Sequence, residues 1–387
     1  LSLIPLLLFG FLFKILNVFL LQSEVNDQYT RVNLLAILFF CIPLIFNSRT
    51  FNLDNFDGKF VSSRYFSLNA AILIFFIFIF YHYLMVGIPL FSSDIDISRF
   101  SSNNSGLFGI PSRIAVYGPY IILYSSIVLL LTKTINTKYF YLIILISIIL
   151  LIIQGHKSSI FQILIVFALA YRCIDASITN QLKKYSFVLI IPAFYFVYII
   201  FSSMSSLEDF DFFLYLGQRF TSISSAPSIA LFMDEIQFKT FTQSMTLNDL
   251  LYPFAKVAGL NIETTNIQLS RILYGIPDGE FTVPVTPGSI AYFFKDYGEV
   301  GCYIAYFFFG SFIKFLYNLP PKLTSSYGFI LVLFTEYVLY VGLSSGNLFY
   351  LIGNTYFVFL IFWFIERLFF TARRIIITSK RQNDINV

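Results

Sequence analysis

The chain divides into runs of about 17 to 22 apolar residues, each long enough at about 1.5 Å per residue to cross about 30 Å of hydrocarbon as a helix. They lie near 1 to 22, 31 to 47, 66 to 86, 114 to 132, 137 to 154, 158 to 174, 184 to 203, 298 to 317, 327 to 343 and 347 to 369. A run of that length constrains the fold more than any other feature, because every backbone N–H and C=O within it must be satisfied by the run itself. Composition agrees: 57% of the residues are hydrophobic and 12% are charged, and the mean hydropathy is +0.78, values of a chain dissolved in lipid. The sequence predicts an all-α polytopic membrane protein with ten transmembrane helices. The first run starts at residue 1 with Leu and lacks the small-residue cleavage pattern of a signal peptide, which leaves open whether the N-terminus is complete.

Basic residues set the expected orientation. With both termini cytoplasmic, the inner segments hold fifteen Lys and Arg residues, among them Lys183, Lys184, Arg373 and Arg374, whereas the short outer segments hold four, Arg31, Arg99, Arg113 and Lys157. The positive-inside bias favours that arrangement. The net charge of +4 therefore reports topology, and no nucleic acid is expected as a partner.

Other chemistry is excluded by what the sequence lacks. Cys41, Cys173 and Cys302 lie in or at the ends of three separate runs with no CxxC spacing, so neither a disulfide framework nor a metal site is expected. There is no Walker loop, no GxGxxG following a strand and no GxSxG elbow, and no cofactor is implied.

The organisation is uneven. Residues 1 to 203 are expected to form helices one to seven, 204 to 297 one long outer segment, 298 to 370 helices eight to ten, and 371 to 387 a cytoplasmic tail. Loops of about ninety residues are functional or disordered, and this one is too apolar and aromatic for disorder. EDFDFFLYLGQRF (208 to 220) and LNDLLYPFAKVAGL (247 to 260) read as amphipathic helices, and NIQLSRILYG (266 to 275) as a helix closed by Gly275. DGEFTVPVTPGS (278 to 289) brings the chain back to the membrane. In SIAYFFKDYGEVG, SIAYFF is too short to cross and KDYG interrupts it. This stretch reads either as a half-helix or re-entrant segment or as an ordinary loop helix leading into the next span.

Four motifs in this order resemble the O-antigen polymerases, the Wzy-type oligosaccharide repeat-unit polymerases. They are a GIP turn leading into a loop with arginine (GIPLFSSDIDISRF, 87 to 100), a tight turn of G-x-[RK]-S form (GHKS, 155 to 158), an arginine early in a large late loop (LGQRF, 216 to 220), and PGSIAYFFKDYGEVG (287 to 301). The resemblance covers about residues 80 to 315. It implies a GT-C-like arrangement with a large, mostly helical periplasmic loop in the bacterial inner membrane. The implied activity moves a growing glycan from undecaprenyl diphosphate onto a new lipid-linked repeat unit, with no cofactor. Expected partners are the undecaprenyl-diphosphate-linked oligosaccharide, membrane lipid and a chain-length regulator protein.

A diphosphate leaving group gathers negative charge as the glycosidic bond breaks, and guanidinium groups stabilise it without a metal. Basic residues on the outer face are the candidates: Arg99, Arg113, Lys157, Arg219 and Arg271. The alternative for each is a solvated charge or a headgroup contact. The acceptor hydroxyl calls for a general base. His156, Asp278, Glu280 and Asp296 are the candidates, since residues 204 to 297 contain no histidine; departure of the diphosphate without a dedicated base is the alternative. His82 reads as a packing or headgroup residue, and Glu336, inside the ninth run, as a carboxylate that has a partner or lines a wet cavity, a structural ion pair being the favoured role. Of the many aromatic residues, Tyr215, Tyr252 and Tyr274 in the long loop are the ones placed near glycan.

Two other functions compete. An O-antigen ligase shares the donor, but the family resemblance implies that ligases use a histidine in this loop. A lipid-linked oligosaccharide flippase is expected to show two comparable halves, and no internal repeat is visible. The turn QGHKSS (154 to 159) holds His156 and Lys157 between two runs, at the depth of a lipid diphosphate if the orientation is right. A reporter fused at residue 240 is expected to read as external and one fused after residue 375 as cytoplasmic; a cytoplasmic reading at 240 overturns the orientation.

Overall fold

The computed structural model describes residues 24–45, 65–92, 98, 109–131, 135–154, 162, 165, 166, 169, 222–232, 238, 244–260, 262–278, 280, 282, 284–319, 326–345 and 347–385. Among the described residues the ordered elements are all helical. They are α1 (Glu24–Ile45), α2 (Tyr65–Val86), α3 (Ile110–Leu131), α4 (Thr137–Ile153), α5 (Ser222–Phe232), α6 (Met245–Val257), α7 (Thr265–Tyr274), α8 (Ser289–Asn318), α9 (Ser326–Ser345) and α10 (Leu348–Ile385), with one 3₁₀ turn at Pro89–Phe91.

Among the described residues, five helical stretches are long and apolar enough to cross a membrane: Asp27–Ile45, Tyr65–Phe91, Ile110–Leu130, Ser289–Asn318 and Leu348–Ala372. Two shorter apolar helices, Lys138–Ile153 and Gly328–Leu343, accompany them. The chain is a helical membrane protein. The expected spans 1 to 22 and 184 to 203, the amphipathic helix at 208 to 220, and all but isolated residues of the span at 158 to 174 lie outside the described residues.

Burial separates the centre of the bundle from its rim. In the most apolar 18-residue window of Ile110–Leu130, 94% of the residues are buried by protein, against 28% in that of Ser289–Asn318, so α3 is the axial helix and packs on α2, α4, α9 and α10. The outward faces of α2 and α8 carry Leu73, Ile77, Phe80, Ile304, Phe308 and Phe315, side chains that match hydrocarbon. At the rim α1 lies along α8 with the two backbones nearly touching: a Cβ on Gly310 would stand 2.2 Å from the Phe40 carbonyl oxygen. The same device seats α6 on α10, where a Cβ on Gly353 would stand 2.3 Å from the Leu250 carbonyl oxygen. Small residues that let backbones approach replace the hydrophobic effect as the source of helix association in lipid.

The helix ends are set locally. Asn136 accepts from the Tyr139 N–H to cap α4, Ser244 from Leu247 to cap α6 and Thr264 from Ile267 to cap α7, while Gly275, at φ 64°, closes α7 in the left-handed conformation. The interruption at KDYG is physical: Gly298 has φ 68° and ψ −173°, so α8 is a short helix from Ser289 and a longer one joined at a break. That conformation is open essentially to glycine alone.

Gly310→Ala is expected to loosen the α1–α8 contact at a cost of about 1 to 3 kcal/mol, the usual range for overpacking. Gly118→Ala is the comparison, since its Cβ would meet the movable Ile114 Cγ2 at 3.3 Å. Thermal unfolding in detergent micelles measures both, and an equal effect counts against the backbone contact.

Candidate functional site

Helices α2 and α4 end, and α3 and α10 begin, at one end of the bundle; Tyr83 there donates to the Leu150 carbonyl at 3.4 Å, and Gln154 donates to the Ala115 carbonyl. Arg113 lies in the first turn of α3 and is 9% exposed. Its Nε donates to Asn354 Oδ1 on α10 at 2.9 Å, and the guanidinium carbon is 5.8 Å from the ring centres of both Tyr252 and Phe357. Tyr252 also stands 5.7 Å from Tyr350 and 5.9 Å from the Lys256 ammonium. A fixed cation thus sits among aromatic rings where α3, α6 and α10 meet, at the end of a membrane span.

Helix α6 comes from the long loop, yet it does not behave as a water-soluble helix. Thr246, Asn248 and Asp249 face inward and are buried, while Leu247, Leu251 and Phe254 face outward at 45%, 37% and 44% exposure. The polar side is inside and the apolar side outside. Contacts to α10 run from Tyr350 through Gly353 to Phe357, about 10 Å along that helix at 1.5 Å per residue. Since α10 is apolar from Leu348 onward, α6 packs alongside membrane-spanning residues, and its outward face suits lipid.

Behind Tyr252, Asp249 is 1% exposed. Its Oδ1 accepts from the Thr265 N–H at 2.8 Å and the Thr265 hydroxyl at 3.0 Å, and its Oδ2 lies 3.0 Å from the Tyr292 hydroxyl. Tyr292 also meets Asn266, and Asn266 donates to Asn347. One carboxyl group therefore ties α6 to the first residue of α7, to the short half of α8 and, through two further residues, to the start of α10. Burial pushes its pKa up to about 6, against the opposing pull of Thr265, Tyr292 and Asn248. The space beside it, lined by Ser289, Tyr292, Asn347, Leu348 and Phe349, has no room for a water. A second cavity, between Tyr29, Asn33, Ser228 and Ser289, has about 10 Å³, the size for a single water.

The other sequence candidates fall in different surroundings. Arg271 Nη1 binds both oxygens of Glu263 at 2.6 and 2.7 Å, and Nη2 donates to the Glu280 carbonyl at 2.8 Å. Asp278 is 4.0 Å from the same guanidinium and its side chain is 74% exposed. Arg271, Asp278 and Glu280 are thus brought together at the end of α7, where the arginine closes the loop on itself. Asp296 accepts from the Ser244 hydroxyl at 2.9 Å, the Met245 N–H at 3.0 Å and the Thr246 N–H at 2.8 Å. Both its oxygens hold the first turn of α6, whose free N–H groups and dipole favour a negative charge. Arg99, His156, Lys157 and Arg219 lie outside the described residues.

No protein-family model, curated protein or solved structure matches this chain.

Sequence reasoning missed Asp249, Tyr292, Asn266, Asn347 and Asn354. One signal was available: Thr246, Asp249 and Tyr252 recur at intervals of three on the side of α6 opposite Leu247, Leu251 and Phe254, and in lipid it is the polar face that turns inward.

Asp296→Ala is expected to release the start of α6 and cost about 1 to 2 kcal/mol, the range for losing a helix cap, whereas Asp278→Ala is expected to leave stability unchanged. Thermal unfolding in micelles distinguishes them; an unaltered midpoint for Asp296→Ala shows that α6 is held by other contacts.

Proposed function

We propose that this protein is a surface-polysaccharide polymerase of the O-antigen type, acting at the periplasmic face of a bacterial inner membrane. In the proposed reaction a growing glycan leaves undecaprenyl diphosphate and joins a hydroxyl of a new lipid-linked repeat unit. Beyond the resemblance in motif order, one observation carries the reading: the Arg113 guanidinium, nearly buried, fixed by Asn354 and framed by Tyr252 and Phe357. It stands at the end of a membrane span beneath a loop helix whose outer face is apolar. A lipid diphosphate presents its charge at that depth, with the isoprenoid in hydrocarbon and the glycan above it.

The parts have distinct roles in this proposal. Arg113 stabilises charge developing on the leaving diphosphate, a task suited to a group that stays ionised and needs no reorientation. Lys256, whose ammonium also lies against the Tyr252 ring, adds charge to the same region. Tyr252 and Tyr350 offer ring faces and hydroxyls to a sugar. Arg271, tied to Glu263, shapes the loop that holds the acceptor, and Arg99, Lys157, Arg219 and His156 remain candidates for donor binding and proton transfer. Ten spans, a GT-C-like arrangement and cytoplasmic termini are part of the same proposal.

Purified protein with lipid-linked repeat unit is expected to yield a ladder of glycans on a gel. Ligase activity instead requires a different acceptor, and a flippase gives no new bond. Arg113→Ala is expected to slow polymerisation about a hundredfold, equivalent to about 3 kcal/mol of lost charge stabilisation, with single repeat units accumulating and the protein still inserted. Lys239→Ala is the comparison for expression. A full-rate ladder from Arg113→Ala places the diphosphate elsewhere.

A further inference from the structure

The Tyr292 hydroxyl has one hydrogen and two acceptors. Asp249 Oδ2 lies 3.0 Å from it on one side, and Asn266 Oδ1 is in hydrogen-bond contact on the other. Asn266 cannot relieve the conflict as oriented, because its Nδ2 is already donated to Asn347 Oδ1. If Asp249 is ionised while the amides keep this orientation, the hydroxyl hydrogen goes to the carboxylate and Asn266 Oδ1 faces an oxygen lone pair. A hydrogen on Asp249 Oδ2 removes the conflict. The acid then donates to Tyr292, Tyr292 to Asn266, and Asn266 to Asn347, with each donor meeting one acceptor. Asp249 Oδ1 keeps both hydrogen bonds from Thr265 throughout.

We propose that Asp249 is a proton-binding site of the folded protein, and that this proton sets the direction of the hydrogen-bond chain Asp249, Tyr292, Asn266, Asn347, which fastens the loop helices α6 and α7 to α8 and α10. Loss of the proton reverses the chain. Tyr292 then donates to Asp249, and the amides of Asn266 and Asn347 must both turn over so that each again points a donor toward Tyr292. A one-proton change in the loop segment thereby reaches the first turn of α10, where the Asn347 carbonyl accepts from the Leu351 N–H at 2.8 Å. Proton binding here is independent of the reaction proposed above.

The surroundings of Asp249 include charges of both signs. Tyr252 on its own helix, Tyr292 on α8 and Tyr350 on α10 interact with it directly. Arg113 from α3 and Glu263 ahead of α7 act on Tyr252, and Asp296 from α8 acts on Tyr292. Burial outweighs the hydrogen bonds that favour the ionised form, and the acid is carried from 3.8 to about 6. The sign follows: a group that holds its proton more tightly when docked adds stability below 3.8, and that stability is lost as pH rises to about 6.

Hydrogen exchange of the α6 and α7 amides in the purified full chain, corrected for intrinsic rates, tests the proposal. Protection is expected to fall about tenfold per pH unit from about pH 4 to about pH 6 and then to level off. Asp249→Asn places an N–H where the acid has its proton, so its protection is expected to stay flat and to exceed the wild type at neutral pH. A flat wild-type profile, or an equal slope in Asp249→Asn, overturns the proposal. If that variant is not recovered folded, an infrared titration of the wild type decides: a protonated-carboxyl stretch present at about pH 5 and gone by about pH 7 supports it, and its absence at about pH 5 overturns it.

Discussion

A polar group withdrawn from water into hydrocarbon must find its partner inside the protein, and the arrangement of this chain follows from that constraint. Within the spans the helices satisfy the backbone themselves. Polar side chains are gathered inward instead: Asn354 is 1% exposed, Thr355 and Ser126 are fully buried, and Ser67 donates to the buried Glu366 carboxylate at 2.6 Å. The interior remains largely aliphatic and aromatic, with Phe75, Ile121, Phe334 and Phe362 fully buried, and the rim is apolar as well.

The loop segment obeys the same rule, and that is why it docks where it does. Helix α6 buries Thr246, Asn248 and Asp249 and exposes Leu247, Leu251 and Phe254, so it cannot stand free in water without loss. Against α10 its backbone closes on Gly353, and at its start Asp296 supplies the acceptors that its first N–H groups lack. The start and the middle of the helix are thereby fixed by different neighbours. Arg113 is held in place as a by-product of that docking, since Tyr252 and Phe357 come from the two helices that the contact brings together.

Much of this was legible in the sequence, and the part that was not has a physical cause. Apolar run length located α2, α3, α4 and α9 closely, because crossing hydrocarbon imposes a length, whereas α1 and α8 begin well before the expected runs and α10 continues well past its own. Gly275 closing α7 and KDYG breaking α8 were readable because glycine conformations are local. Helix α5, SISSAPSIALF with Pro227 inside, has neither the length of a span nor a polar face to mark it, and it went unseen. The site was legible only in part. Arg113 stood out as a basic residue on the side where basic residues are scarce. Asp249 did not, since its meaning depends on Thr265 and Tyr292, sixteen and forty-three residues away, and no local pattern encodes such meetings. Asp296 stood out as an acid, yet what its oxygens hold is a helix terminus remote in sequence.

The break at Gly298 separates two carboxylates that a continuous helix would keep on one face, since residues three apart are neighbours there. Asp296, before it, reaches inward to α6, and Glu299, after it, reaches Arg31 on α1 at 2.5 Å. Four consecutive residues thus serve as a junction with two addresses. A single insertion or deletion between 296 and 299 within a helical stretch turns one of these acids by about 100° and takes it away from its partner. This short segment therefore fixes the spacing between the start of α6 and the side of α1, and a designer transplanting the loop into another bundle would have to carry it along unchanged.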